Sequence, residues 1–339
     1  MADLAMALDT PVRPAQTPRR IAPVRNTGDR IFFAGTRLGA IAVVGVIGCV
    51  GTFLAVRAAP ALAVAKLHFL TTQAWEPDIH DFGVAGVLSG TVLIALVALI
   101  VATPISLGLA LFISEIAPEK VRRVLISLVD LMAAVPSVVY ALWGLEFFEG
   151  RVVGVARWLA TWAGWFPLFH VHSATTDSSL GTATTYSASI FVVGLVVSLM
   201  VMPIQCSVMR EAFSQAPLGE REGAYALGGS RWGMITSVVL PFGRGGIVGG
   251  TMLGLGRALG ETIVVYLIIS SSYGINWHIL QSGGNSISSL IALQHGDADS
   301  FGIAALMAAG LTLFALTLVV NLVASAIISR SRSGAQSEV

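Results

Sequence analysis

The chain has 339 residues, of which 55% are hydrophobic and 12% charged, and its mean hydropathy is +0.80. That balance excludes a soluble globular domain and describes a chain that lives in lipid. A net charge of +1 offers no argument for a nucleic-acid partner, and the two cysteines, Cys49 and Cys206, suggest neither a disulfide framework nor a metal site.

Residues 1–30 are polar and carry Pro11, Pro14, Pro18 and Pro23 with Arg13, Arg19, Arg20, Arg25 and Arg30, which reads as a disordered basic tail. A first span is expected over about Leu38 to Val56. The AAPALAVA run behind it imitates a peptidase site, but the preceding leader is too long for a signal peptide, and no cleavage is expected. The segment from Arg57 to Asp81, with Trp75, Pro77 and three acids, is expected to be a loop on the outer side. A second span, about Val84 to Ile113, carries Thr103-Pro104, where the proline ring removes a helical hydrogen bond and should kink the helix. After the short loop EIAPEKVRR, a third span over about Leu125 to Phe147 contains Asp130 and the irregular AVPSVVYALWG, with Pro136-Ser137. A wet polar loop with Arg151, Arg157 and His170 to Ser179 follows. Spans four, five and six are expected over about Ser187 to Val208, Gly245 to Ser270 and Gly302 to Ile328. The chain is therefore all-α and polytopic, with one transmembrane domain over residues 31–329 between the tail and a short C-terminal segment, residues 330–339.

Counting Lys and Arg on the two sides of these spans gives fifteen against four, with Arg257 left inside the membrane. The positive-inside rule then places both termini and the long loop 209–241 in the cytoplasm. All six histidines fall on the other side; His170 and His172 alternate as a metal pair would, but with no third ligand nearby they read as solvated loop residues.

Within the 209–241 loop, Glu222 and Ala224 are followed by Gly228 and, after nine intervening residues, by Val238, Leu240 and Pro241. Glu222 is expected to open a helical turn, where a negative charge suits the helix end, and Gly228-Gly229 to break it. Ser230 should cap a second short helix beginning at Arg231, and Leu240-Pro241 should end that helix, because the residue before proline disfavours the helical region. In span five, RALGETIVV places Arg257 and Glu261 in an otherwise apolar helix, with Gly254, Gly256 and Gly260 leaving its backbone open to close approach. An arginine at such depth costs roughly 2.5–3.5 kcal/mol on insertion scales. Spacing of four places the pair on one helix face. Two readings stand: a fixed ion pair that holds span five to a neighbour, with Asp130 a further candidate, or a cation offered to a desolvated anion on its way through the membrane.

The E-x-A-x3-G-x9-[IV]-x-L-P spacing, the segments from Phe82 to Pro118 and from Ala133 to Gly144, and LPFGRGGIVGGTMLGLGRALGETIVV from Leu240 together resemble the PstC-type permease subunits of bacterial ABC phosphate importers. The likeness covers most of residues 75–328, leaving the tail and the loop at 165–186 without an assignable pattern. It implies a type I importer permease of the MetI-like fold with six spans, both termini inside, in the bacterial inner membrane. It also implies inorganic phosphate as substrate, a second permease of the PstA kind, a dimer of PstB-like ATPases and a PstS-like extracytoplasmic phosphate-binding protein. Residues 209–241 are then the coupling loop, with Glu222, Ala224, Gly228, Arg231, Leu240 and Pro241 meeting the ATPase. Arg257 and Glu261 lie on the substrate path, and Asp130, Pro104, Pro136 and Ser137 are gate or bundle positions. The subunit is expected to be non-catalytic, without metal or cofactor. Neither lysine follows a phosphate-loop pattern, since Ala65 and Glu119 precede them, and no H-E-x-x-H or G-x-S-x-G occurs. Alternatives are an ABC permease for another oxyanion or small solute and a secondary anion transporter, which would not need a coupling loop.

Overall fold

A computed structural model describes residues 27–171 and 184–331. The expected tail up to residue 26 and His172 lie outside the described residues. The chain divides into two units, one up to Val50 and one from Gly51. Helix α1 (Thr27–Ala65) belongs to both: it starts inside the expected tail, with Asp29 in its first turn where the helix end favours a negative charge, and runs on to Ala65, into the loop expected from Arg57. From Thr27 to Val50 it is exposed on every side.

In the second unit the central pair is α2 (Ala85–Leu111) and α6 (Ile190–Ser214). The most apolar 18-residue window of α6 is 72% buried, against 39% for α2 and 28% for α13 (Ser300–Ser331), so α6 is the axis of the bundle. Ile94, Ala98 and Ala102 of α2 meet Val193, Val197 and Val201 of α6 in one core cluster. The two backbones come close because Gly194 faces Val97, where an added Cβ would lie 2.5 Å from the valine Cγ1. Deeper along the pair, the Ser106 hydroxyl donates to the Met202 carbonyl at 3.0 Å. α2 runs on through Pro104 and a π-helical turn (Phe112–Ile116) as one continuous helix, so the expected kink does not divide it.

The expected third span is instead two helices. α3 (Glu119–Ala134) meets the helix that begins with α4 (Ser137–Trp143) at 91°, the break falling at Val135-Pro136. α4 continues through a second π-helical turn (Gly144–Phe148) into α5 (Glu149–Ala163). The expected polar loop at Arg151 and Arg157 is therefore helical. Val152 and Ala156, one turn apart, bury against the core while the arginines stay outside that stripe.

Beyond α6 come α7 (Leu218–Ala226), α8 (Arg231–Met234), a π-helical turn (Ile235–Val239), α9 (Leu240–Phe242) and α10 (Arg244–Leu259). The run Arg231–Phe242 and α10 are bent by 65° at Gly243. The expected fifth span ends early: α10 stops at Leu259, and a short α11 (Ile263–Ile268) follows after Gly260, Glu261 and Thr262. Among the described residues, four helices are long and apolar enough to cross a membrane, or up to six if each bent pair is one span.

The start of α2 is roofed by irregular chain. A Cβ on Gly86 would overlap the Tyr273 carbonyl, and one on Gly90 the Asn285 carbonyl. Thr91 Oγ1 accepts from the Ile287 amide at 3.0 Å at the entrance to α12 (Ile287–Gln294), a helix that the hydropathy pattern does not announce. Buried non-helical backbone of this kind is tolerated at membrane depth because protein satisfies its polar groups.

Candidate functional site

The 218–243 segment is built by local rules. Glu220, not Glu222, lies in the first turn of α7; Glu222 sits in mid-helix, exposed to solvent. Ala224 packs against a cluster containing Phe213, Met234, Ile235 and Val239, a place where a larger side chain would lift the helix. At the end of α7 the Gly228 amide bonds to the Tyr225 carbonyl at 2.9 Å and the Gly229 amide to the Ala224 carbonyl at 3.0 Å. This is a Schellman closure, and it places Gly228 at φ +81°, a conformation open to glycine without a Cβ penalty. Ser230 Oγ then accepts from the Gly233 amide at 3.1 Å and caps α8. Both features follow the expectation.

The end of the segment does not. Leu240 is helical (φ −65°, ψ −45°) and the helix runs through Pro241 to Phe242. The wide turn at Ile235–Val239 relaxes the ladder that the proline ring would otherwise meet, and Gly243 is the actual stop. Above this buried underside, Leu227 is 92% and Trp232 66% exposed, with Leu218 and Tyr225 also open. Arg231 lies exposed beside them. The segment is thus a rigid knob with an apolar, charge-flanked crown.

One ion pair ties the knob to the bundle. Arg221 of α7 donates from Nη1 to Glu115 Oε2 at 3.0 Å and from Nη2 to the Phe213 carbonyl at 2.6 Å. The two side chains are 18% and 3% exposed. Glu115 belongs to the π-helical turn closing α2, and Phe213 to the last turn of α6. Sequence reasoning missed this pair. Its signal was opposite charges at the ends of runs assigned to one side of the membrane, too common a pattern to single out two residues 106 positions apart.

Arg257 occupies the last turn of α10, where the helix dipole favours a cation. It is exposed and lines a groove of about 520 Å³ with Ile204, Gly249, Met252, Leu253, Gly256 and Asn321. Glu261 does not share its face. Because α10 ends at Leu259, the spacing of four no longer describes one helix, and Glu261 turns inward. There its Oε1 accepts from the Val264 amide at 3.2 Å, while its carbonyl accepts from Ser288 Oγ at 2.7 Å. The expected Arg257–Glu261 ion pair is absent among the described residues, whose salt bridges are Glu115–Arg221 and the exposed Glu119–Arg123.

Of the glycines beside Arg257, Gly254 is the close-approach position, its absent Cβ leaving room for Gln205 Nε2, while Gly256 faces the open groove. Gln205 is fully buried in α6 with no partner for its amide among the described residues. Asp130 is exposed on α3 and forms no ion pair among the described residues. Pro136 makes the 91° break and Ser137 starts α4, while Pro104 lies within α2. These four positions are not gathered around Arg257's groove. Among the described residues, no group of three or more His, Cys, Asp or Glu could hold a metal ion.

The family described as binding-protein-dependent transport system inner membrane component matches residues 102–333. The chain is 35% identical over 327 residues to the phosphate transport system permease protein PstC 2 of Mycobacterium tuberculosis, covering 95% of this chain and 98% of that one. It is 37% identical over 279 residues to the PstC of Mycobacterium leprae, covering 81% and 85%. The PstC of Pasteurella multocida is 35% identical over 301 residues, covering 88% and 91%. In architecture it is similar to a chain of a bacterial alginate ABC transporter crystallised with an alginate pentasaccharide-bound periplasmic protein. That match has a TM-score of 0.55 at 18% identity, over 90% of this chain and 96% of the other, a likeness of fold alone. With the family match spanning more than half its length and these relatives aligned along most of it, the chain belongs to the binding-protein-dependent transport system inner membrane components.

Proposed function

We propose that this chain is a permease subunit of an ATP-driven importer of inorganic phosphate in the bacterial inner membrane, lining the translocation path together with a second permease subunit. The observation that carries the reading is the 218–243 knob, a capped and rigid projection with an apolar crown and no cover in its own chain among the described residues. A secondary transporter has no use for such a projection. Its chemistry fits a groove on a separate ATPase, with Leu227 and Trp232 inserted and Glu222 and Arg231 pairing at the rim. A PstA-like second permease, two PstB-like ATPases and a PstS-like binding protein complete the assembly, and the phosphate in the relatives' names is the substrate. The fifteen-to-four charge count supports a cytoplasmic knob and cytoplasmic termini.

ATP binding draws the two ATPases together. The knob moves with its ATPase, and the helices behind it swing between outward and inward openings. Arg257 meets the anion on the way, its planar fork matching two phosphate oxygens. The open groove around it supports this role over that of a fixed lock, since its guanidinium has no carboxylate partner among the described residues. Glu261 serves from behind, holding the start of α11. The test is phosphate uptake by the reconstituted complex, with ATP hydrolysis and complex yield recorded alongside. Trp232→Ser should lose the ATPase on purification and abolish uptake. A complex that keeps both would overturn the reading.

A further inference from the structure

The coupling helix α7 has no fully buried residue, and Ala224 is its main apolar contact with the cluster beneath. Its firm non-covalent hold on the rest of the chain is the Arg221 guanidinium. That one group reaches the closing turn of α2 through Glu115 and the last turn of α6 through the Phe213 carbonyl. These are the ends of the two helices that form the centre of the bundle.

We propose that the Glu115–Arg221 pair is the joint through which movement of the coupling helix reaches the transport helices, Arg221 being a positioning residue for energy coupling. The inference rests on the coupling role proposed for residues 218–243. As a brace for the fold, a buried ion pair is a poor choice, because desolvation offsets most of its attraction and apolar residues of similar volume often serve as well or better. What it supplies that apolar packing does not is direction and register, since a guanidinium and a carboxylate attract at fixed angles and resist sliding.

The contact also has spare capacity. Glu115 Oε1 and Arg221 Nε are both buried without partners, so the pair is held through one nitrogen and one oxygen. As α7 tilts, the guanidinium can roll toward a side-on double contact without either charge leaving the other. The pair thereby offers two discrete arrangements to one pair of helices, the kind of bistable element a transmitted motion requires. Phe213 reinforces the joint from the other side. Its ring lies against Gly243, where an added Cβ would clash with it, so the same residue touches α7 through its carbonyl and the 65° bend before α10 through its ring.

The test uses the complete complex in liposomes with its binding protein and measures phosphate imported per ATP hydrolysed, together with complex yield and thermal midpoint. Glu115→Gln keeps the shape and removes the charge. Yield and hydrolysis should stay within about twofold of wild type while phosphate per ATP falls at least fivefold. Arg221→Lys, whose single ammonium cannot span both acceptors, should fall between. The double variant Glu115→Leu with Arg221→Met restores apolar packing, and should assemble and hydrolyse ATP but still import poorly. Wild-type phosphate per ATP in that double variant would overturn the proposal. So would a Glu115→Gln complex of reduced yield or midpoint whose surviving molecules import at the wild-type ratio. Should Glu115→Gln not assemble, Arg221→Lys gives the same readout. Failure of the underlying coupling reading is separately visible, because Trp232→Ser would then leave ATPase binding and uptake intact.

Discussion

Arg257 and Glu261 show how far two neighbouring charges can diverge in role. Arg257→Met should lower uptake about tenfold or more, because a charge-assisted hydrogen bond contributes roughly 1.5–3 kcal/mol, with ATPase binding unchanged. Arg257→Lys should also be impaired, since a point ammonium lacks the fork. Glu261→Gln should import nearly as wild type, its amide oxygen still able to accept from the Val264 amide. Glu261→Ala removes that acceptor and should lower the thermal midpoint by the equivalent of about 0.5–2 kcal/mol, as loss of a helix cap does. Uptake and midpoint measured across these four variants decide the assignment; a Glu261→Gln complex as defective as Arg257→Met would return the pair to a shared role. The sequence revealed both charges but not their separation. It could not have done so, because a single glycine such as Gly260 weakens a helix without fixing where it ends, as Gly254 and Gly256 within α10 show, and the contact with Ser288 that seats Glu261 comes from distant chain.

Among the elements, the knob was the most legible part of the chain, and the reason is local. A Schellman closure needs a residue free to take φ +81°, and a helix start needs a short side-chain acceptor. Gly228 and Ser230 state both needs in their own identity. Gly228→Ala forces a Cβ into the left-handed region at about 1–2 kcal/mol, and Ser230→Ala removes a cap of about 1 kcal/mol. Each should leave the chain inserted while reducing the ATPase recovered with it, a result read by quantifying subunits in the purified complex; unchanged recovery for both would mean that the crown does not depend on the turn. Elements specified by long-range packing were less legible. The 91° break at Pro136, the helicity of α5 and the short α12 depend on what the rest of the bundle leaves uncovered, and Leu240 is helical because of a wide turn that no residue preference announces.

For the molecule as a whole, sidedness is the testable consequence of its charge distribution. With Cys49 and Cys206 replaced by serine, a cysteine at exposed Asp297 should react with an impermeant thiol reagent applied outside intact cells, and one at Ser230 only after the membrane is opened. The reverse pattern would invert the chain and remove the knob from any cytoplasmic ATPase. The π-helical turn at Ile235–Val239 carries a different consequence. A helix has a reading frame: every residue sets which way all later ones face, and a π turn is a place where one extra residue has been absorbed. The nine residues between Gly228 and Val238 are therefore a count that includes this surplus. Deleting Thr236 would let the turn tighten to an ordinary α-helix with α9 and α10 facing nearly as before. A second deletion would have no surplus left to draw on and would rotate them by about 100° relative to the knob, leaving the knob and the arginine of α10 out of phase although composition and hydropathy scarcely change. Homologous chains should accordingly lose one residue of this turn more readily than two.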